Sequence, residues 1–165
     1  KTIPNVPLVL VHLAQRDQGI LVARGNPRTL AGLKDLAKPG VRFVNRQAGS
    51  GTRVLLDHAL KKLDLGPASI AGYEREEFTH MAVGVAVASG LADAGLGVRA
   101  AATALGLDFI LVASEQYDLL VSRTFFESKR GELLMEIIRS DGFKRAVAAL
   151  GGYDPGRAGE VLYRQ

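Results

Sequence analysis

The stretch of this chain richest in chemistry is Val41 to Leu56, VRFVNRQAGSGTRVLL. Asn45 and Arg46 come first, then Gly49, Ser50, Gly51 and Thr52, then Arg53, and an apolar-periodic segment follows. A short β-branched run, a glycine-rich polar loop and a helix, in that order, describe an anion pocket. The first backbone N–H groups of a helix have no intrahelical acceptor, the helix dipole adds partial positive charge there, and glycine lets a ligand approach the backbone. Ser50 and Thr52 add hydroxyl donors; Arg46 and Arg53 add fixed positive charge.

Each of these residues also has a plainer role open to it. Arg46 is either a bidentate oxyanion partner or a solvated loop charge. Ser50 and Thr52 are either ligand donors or helix caps, and a capping hydroxyl lies beside the same unpaired amides. Arg53 stands four residues before Asp57, the spacing of a surface ion pair. Thr79 reads as an N-cap and a ligand candidate. His80, next to it, reads as structural. Glu76 and Glu77 would repel an anion, so they are expected to face solvent or a helix dipole. Tyr117 is a ligand candidate or a half-exposed packing tyrosine.

Other chemistry has thin support. There is no Gly-x-Ser-x-Gly elbow and no His-Glu-x-x-His. The Gly-Ser-Gly-Thr loop lacks the lysine of a phosphate-binding loop, and Gly95-x-Gly97 lacks the third glycine of a dinucleotide fingerprint. Cysteine is absent, which excludes disulfides and thiolate metal sites. His12, His58 and His80 are too scattered for a zinc set. The expectation is no catalytic residue, no metal and no cofactor.

The elements that must hold the loop are legible from periodicity. Pro7–Ala14 and Gly19–Ala23 read as strands, and Thr29 caps a short helix through Ala37 with Leu30, Leu33 and Leu36 on one face. Val41–Val44 is a strand before the loop, and Thr52–Leu63 the helix after it. A helix over Thr79–Ser89 is almost wholly apolar and is expected to be buried. Strand Ala92–Leu96, helix Arg99–Leu105, strands Phe109–Val112 and Leu119–Val121, and helices Gly131–Ser140 and Gly142–Leu150 complete the chain. The tail from Gly151 is glycine-rich and expected to be loose. Strands alternating with helices indicate an α/β fold with a mainly parallel sheet.

With 47% apolar residues, the 165-residue chain can build a real core. The net charge of +4 mildly favours anionic partners, but the basic residues are scattered, which argues against bulk nucleic-acid binding. No apolar run reaches the ~18 residues of a membrane span. The opening KTIPNVPLVLVHLAQ lacks the basic region and cleavage site of a signal peptide.

Three segments together carry a resemblance: strand-Asn-Arg-x-x-Gly-Ser-Gly-Thr-Arg-helix, then Glu-Glu-Phe-Thr-His heading a helix, then Ser-Gly-x-Ala-Asp-Ala-Gly-Leu-Gly. To about Tyr153 the chain resembles the periplasmic-binding-protein-like domain of type II, similar to molybdate- and tungstate-binding proteins and of the kind fused to helix-turn-helix regulators or molybdopterin-cofactor synthesis enzymes. The resemblance implies two lobes with mainly parallel sheets and crossings near Gly19–Arg24 and Phe109–Ala113. Residues 1–25 would be part of the first lobe with the first crossover, 26–108 a nearly complete second lobe, and 109–165 the second crossover with C-terminal helices of the first lobe. The early βαβ portion of a full domain has no counterpart, so the first lobe is expected to be incomplete.

The implied function is non-enzymatic binding of a small oxyanion, molybdate or tungstate, in sensing or delivery for molybdenum-cofactor metabolism. Asn45, Arg46, Gly49, Ser50, Gly51, Thr52, Thr79 and Tyr117 would be its ligand-binding residues. Alternatives are a regulatory or interaction module that has lost its ligand, a transporter component for another anion, and a small enzyme acting on a phosphorylated substrate. The implied partners are the oxyanion, a DNA-binding or cofactor-synthesis domain fused upstream, and a second copy in a homodimer, with no direct nucleic-acid contact and no membrane insertion. The implied location is cytoplasmic, or periplasmic if a signal peptide precedes Lys1.

Overall fold

The computed structural model describes residues 6–165. The chain divides into two compact units: residues 17–114, and residues 1–16 together with 115–165.

The 17–114 unit is a three-layer α/β sandwich. It contains the second half of β1 (Leu8–Val22), then β2 (Phe43–Arg46), α1 (Gly51–Lys62), β3 (Glu76–Glu77), α2 (His80–Ala88), β4 (Ala94–Val98), α3 (Arg99–Leu105) and the first half of β5 (Asp108–Ser122). The strand order is β3-β2-β4-β1-β5. β2 pairs in parallel with β3 (Asn45 opposite Glu76) and with β4 (Phe43 opposite Ala94). β1 is antiparallel to β4, with Gln18 opposite Val98 and Val22 opposite Ala94. The sheet is therefore mixed: the parallel expectation holds around β2 and not around β1.

Strand alternation sends successive residues to opposite faces. Ile20, Val22, Phe43 and Leu96 join Leu36, Leu56 and Leu60 on the α1 face. Val44 packs with Val83, Ala86 and Val87 of α2, and Leu21 with Ala101 and Ala102 of α3. Gly19 permits the close neighbour this sheet needs. A Cβ there would lie 2.2 Å from the Ile110 carbonyl oxygen and 2.5 Å from the Phe109 ring.

The other unit is built on the first half of β1 and the second half of β5. α4 (Arg123–Phe126), α5 (Lys129–Arg139), α6 (Asp141–Ala148), β6 (Tyr153–Asp154) and β7 (Val161–Arg164) follow. Val9 and Val11 of β1 pack against Met135 and Ile138 of α5 and against Ala158. β6 and β7 both run antiparallel to β1.

Several expectations need correction. The two strands expected at each crossing are one strand, because the polar residues around Arg16 and Glu115 pair side chain to side chain within the ladder. Thr29 caps nothing: its φ is +48°, and a 3₁₀ turn starts later, at Leu33. The intervening Gly32 is extended (φ 176°), though Leu30, Leu33 and Leu36 are buried as the spacing required. The apolar helix α2 is not wholly buried, since Met81 and Val85 are about half exposed on its outer side. The tail is tied down: His12 N–H donates to the Glu160 carbonyl, Gly159 N–H donates to His12, and the Arg139 guanidinium donates to the Gly159 carbonyl.

Candidate functional site

Parallel strands carry one consequence for chemistry. β3, β2 and β4 each end at the same edge of their sheet, and each is followed by a helix, so α2, α1 and α3 all begin there. The carboxyl edge of an open α/β sheet is where such folds place ligands.

Helix α1 begins as the spacing predicts. Gly49, at φ +83°, turns the chain, and Ser50 is the N-cap, its Oγ accepting from Arg53 N–H at 3.2 Å. Gly51 and Thr52 open the first turn, where amides have no intrahelical acceptor. Thr52 is buried, and its hydroxyl donates to Gln18 Oε1 on β1 at 2.8 Å. Thr79 caps α2 by accepting from Ala82 N–H at 2.9 Å.

Asn45 and Arg46 are strand residues and not loop residues. β2 runs to Arg46 because the polar segment Glu76–Glu77 pairs alongside it as β3. The Asn45 side chain is fully buried and joins backbone groups, donating to Tyr73 O and accepting from Arg46 N–H. Arg46 is buried as well. Its guanidinium donates to the Glu77 and Phe78 carbonyls, to Gln47 Oε1 and, at 3.0 Å, to His80 Nδ1. A guanidinium only donates, so His80 Nδ1 accepts and the ring proton sits on Nε2. Arg46 thus ties β3 to the first residue of α2.

Arg53 does pair with Asp57 at 3.0 Å, but not on the surface. It is nearly buried, stacks 4.1 Å over the Tyr73 ring and reaches Glu76 at 2.9 Å. Glu76 turns its carboxylate to the loop ahead of α1, accepting also from Ala48 N–H. Burial and the Asp57 carboxylate both raise the Tyr73 phenol above its ordinary pKa.

Two groups at this edge escaped sequence reasoning. Gln18 is fully buried, and among the described residues its Nε2 is the one buried side-chain polar atom without a hydrogen-bond partner. Asp17 accepts from Arg99 Nε at 3.0 Å and from the Ser114 hydroxyl, and Arg99 lies 4.5 Å over the Phe109 ring. The one sequence signal for Gln18, its alternation with the apolar Ile20 and Val22, becomes legible only once β1 is known to run through residue 18. Tyr117 belongs to the other unit, where its exposed ring lies 4.2 Å under the Arg16 guanidinium. The edge of the 17–114 unit therefore gathers Ser50, Gly51, Thr52, Thr79, His80, Arg46 and Gln18.

This edge is rich in donors that can be aimed at a small acceptor, and no metal cage accompanies it. Among the described residues no group of three or more His, Asp or Glu side chains is placed to hold a metal ion. No described helix is long and apolar enough to cross a membrane.

Comparison with known proteins agrees with this fold. The family model described as the PBP superfamily domain matches residues 1–139. The uncharacterized protein YvgK of Bacillus subtilis (strain 168) is 38% identical over 159 residues, covering 94% of this chain and 50% of that protein. The chain thus spans half the length of that relative. A protein encoded in the 5′ region of a ferredoxin 2Fe-2S gene of Clostridium pasteurianum is 36% identical over 110 residues, covering 66% of this chain and 97% of its own length. Among solved structures, L-phospholactate-bound PEB3 superposes with a TM-score of 0.63 at 19% identity, covering 88% of this chain and 68% of its own. A substrate-binding domain assigned to a molybdenum ABC transporter of Clostridium difficile gives 0.61 at 17% identity, covering 88% and 66%. These structures are type II periplasmic binding proteins, and their fold is the fold seen here.

Proposed function

The chain belongs to the PBP superfamily, a solute-binding fold, and on that premise we propose that it binds a small oxyanion, without chemical turnover, at the carboxyl edge of the 17–114 sheet. The observation that carries this reading is the shared starting edge of α1 and α2, with Ser50, Gly51, Thr52 and Thr79 at the two first turns. Backbone amides there, with the Ser50 and Thr79 hydroxyls, donate to anion oxygens with little reorganisation, while the Thr52 hydroxyl proton is held by Gln18. Arg46 and Asn45 hold that edge in shape, and Arg46 adds positive charge beside it.

Molybdate or tungstate is the favoured ligand, supported by the C. difficile neighbour and by the sequence resemblance. Cytoplasmic sensing or delivery for molybdenum-cofactor metabolism is the role that fits such a ligand. The PEB3 neighbour, which holds L-phospholactate, supports tetrahedral anions as a class. The deciding experiment is calorimetric titration of the purified chain with molybdate, tungstate, sulfate, phosphate, L-phospholactate and a neutral amino acid. Saturable heat with molybdate and tungstate, weaker with sulfate, is expected. Preference for the amino acid overturns the oxyanion reading, and silence toward every compound leaves the module that has lost its ligand.

A further inference from the structure

Gln18 is the residue at the sheet edge that packing does not explain. On the α1 face of β1 the next alternate positions, Ile20 and Val22, are buried and apolar. A glutamine in that series loses hydration without matching the packing of its neighbours, and a buried donor left without an acceptor destabilises the fold. Its Oε1 accepts from the Thr52 hydroxyl at 2.8 Å, whereas its Nε2 has no acceptor. Thr52 stands in the first turn of α1, so its bond to Gln18 fixes the side chain beside that turn.

We propose that Gln18 contacts the ligand. Its carboxamide donates an Nε2–H to an oxygen of the bound anion, and Thr52 is the positioning residue that orients the amide by bonding its oxygen. This rests on the oxyanion reading above and deepens it. The first-turn amides and the Gln18 NH₂ are donors only, so the oxygen they share carries no proton. The ligand class is a small anion presenting an unprotonated oxygen. Nε2 is buried, so anion entry is coupled to a side-chain rearrangement around Gln18 and Thr52. The anion supplies the acceptor that no described residue gives Nε2.

The test compares the wild-type chain with Gln18→Met, Gln18→Glu and Thr52→Val, using molybdate as the probe. Each protein is titrated calorimetrically and, without ligand, unfolded in urea. The Gln18 side-chain NH₂ resonances, identified by their loss in Gln18→Met, are followed during titration of the wild type. The expected result is at least a tenfold loss of molybdate affinity in Gln18→Met, with stability in the absence of ligand little changed, because losing the orphan Nε2 donor offsets the Thr52 hydroxyl losing its acceptor. Gln18→Glu abolishes binding by charge repulsion, Thr52→Val weakens it, and the NH₂ resonances shift to saturation in the wild type. Unchanged affinity in Gln18→Met overturns the proposal. Static NH₂ resonances overturn it too. Retained binding in Gln18→Glu means that the side chain does not face the anion, and also overturns it. If the wild type binds none of molybdate, tungstate, sulfate and phosphate, the oxyanion reading itself fails. Intact binding by Gln18→Met removes only the role given to Gln18.

Discussion

The two units differ most in where they bury polarity. Of the buried polar or charged residues among those described, Gln18, Asn45, Arg46, Thr52 and Arg53 lie in the 17–114 unit and His12 alone in the other. His12 is a simple case: Nδ1 meets Asp118 at 2.7 Å, between a strand and its neighbour. The five in the 17–114 unit crowd the end of one sheet: Thr52 bonds Gln18, the Arg46 amide bonds Asn45, and Asn45 and Arg53 share Tyr73 as a partner. Exposed apolar side chains do not separate the units: Leu133 and Ile137 of α5 are at least half exposed in one, and Phe78 and Leu91 in the other. Buried polar groups raise the energy of a fold unless each finds a partner. Concentrating them at one edge makes sense where that edge must present donors to something else.

Four measurements break or sharpen this contrast. The largest effect is expected at Gly19, where any Cβ meets the Ile110 carbonyl. Gly19→Ala should cost about 3 kcal/mol or more by urea unfolding, near the upper end of overpacking effects. A loss below 1 kcal/mol would mean the β1–β5 contact yields easily. Next, Arg46→Ala should cost about 2–3 kcal/mol, since it strips hydrogen bonds from a charged donor and leaves two carbonyls of the β3–α2 segment short of a partner. His12→Gln, in the other unit, should cost about 1 kcal/mol. Equal losses at the two positions would erase the contrast.

The third is a pH dependence. The Arg42 guanidinium, aided by the Arg42 amide and by Arg28, holds the Asp93 carboxyl far below the usual carboxylate range. A depressed folded-state pKa contributes stability above the unfolded value of about 3.9 and loses it as pH falls toward the folded value. Asp93→Asn should therefore be less stable than wild type at pH 7, with the two curves converging below about pH 4. Parallel curves throughout would deny Asp93 this role. The smallest effect is expected at Ile137→Ser on the open side of α5, within about 0.5 kcal/mol of wild type. A larger loss would show that this side of the helix is covered in solution.

The starts of helices were the most legible features. Ser50 and Thr79 cap α1 and α2 as their positions imply, and α3 covers the expected Arg99–Leu105, because caps and breakers are local signals. Strand continuity was not legible. Arg16, Asp17, Glu115 and neighbouring polar residues look like a break, yet they stay in β1 and β5 because their partners are about 100 residues away. The same cause exchanged the expected surroundings of Arg53, whose local partner Asp57 was visible while its distant ones, Tyr73 and Glu76, were not. Of the candidate site residues, Gly49 to Thr52 and Thr79 stand together at one edge, Asn45 and Arg46 lie inside the adjoining strand, and Tyr117 falls in the other unit. Gln18 was overlooked because a single glutamine in a strand draws no attention until its face is known.

The long strand β1 has a consequence for synthesis. Its first half belongs to a unit whose remaining residues begin only at Glu115. On a ribosome adding about 5–20 residues per second, roughly 100 intervening residues delay those partners by about 5–20 s. The 17–114 unit can condense during that interval, but Val9 and Val11 wait with no α5 to cover them and no β7 to pair with them. Nascent chains would thus pass through a species that is folded over 17–114 and sticky at Val9 and Val11, and substitutions at those two residues would alter the yield of soluble protein through chaperone dependence as well as through the equilibrium between folded and unfolded chain.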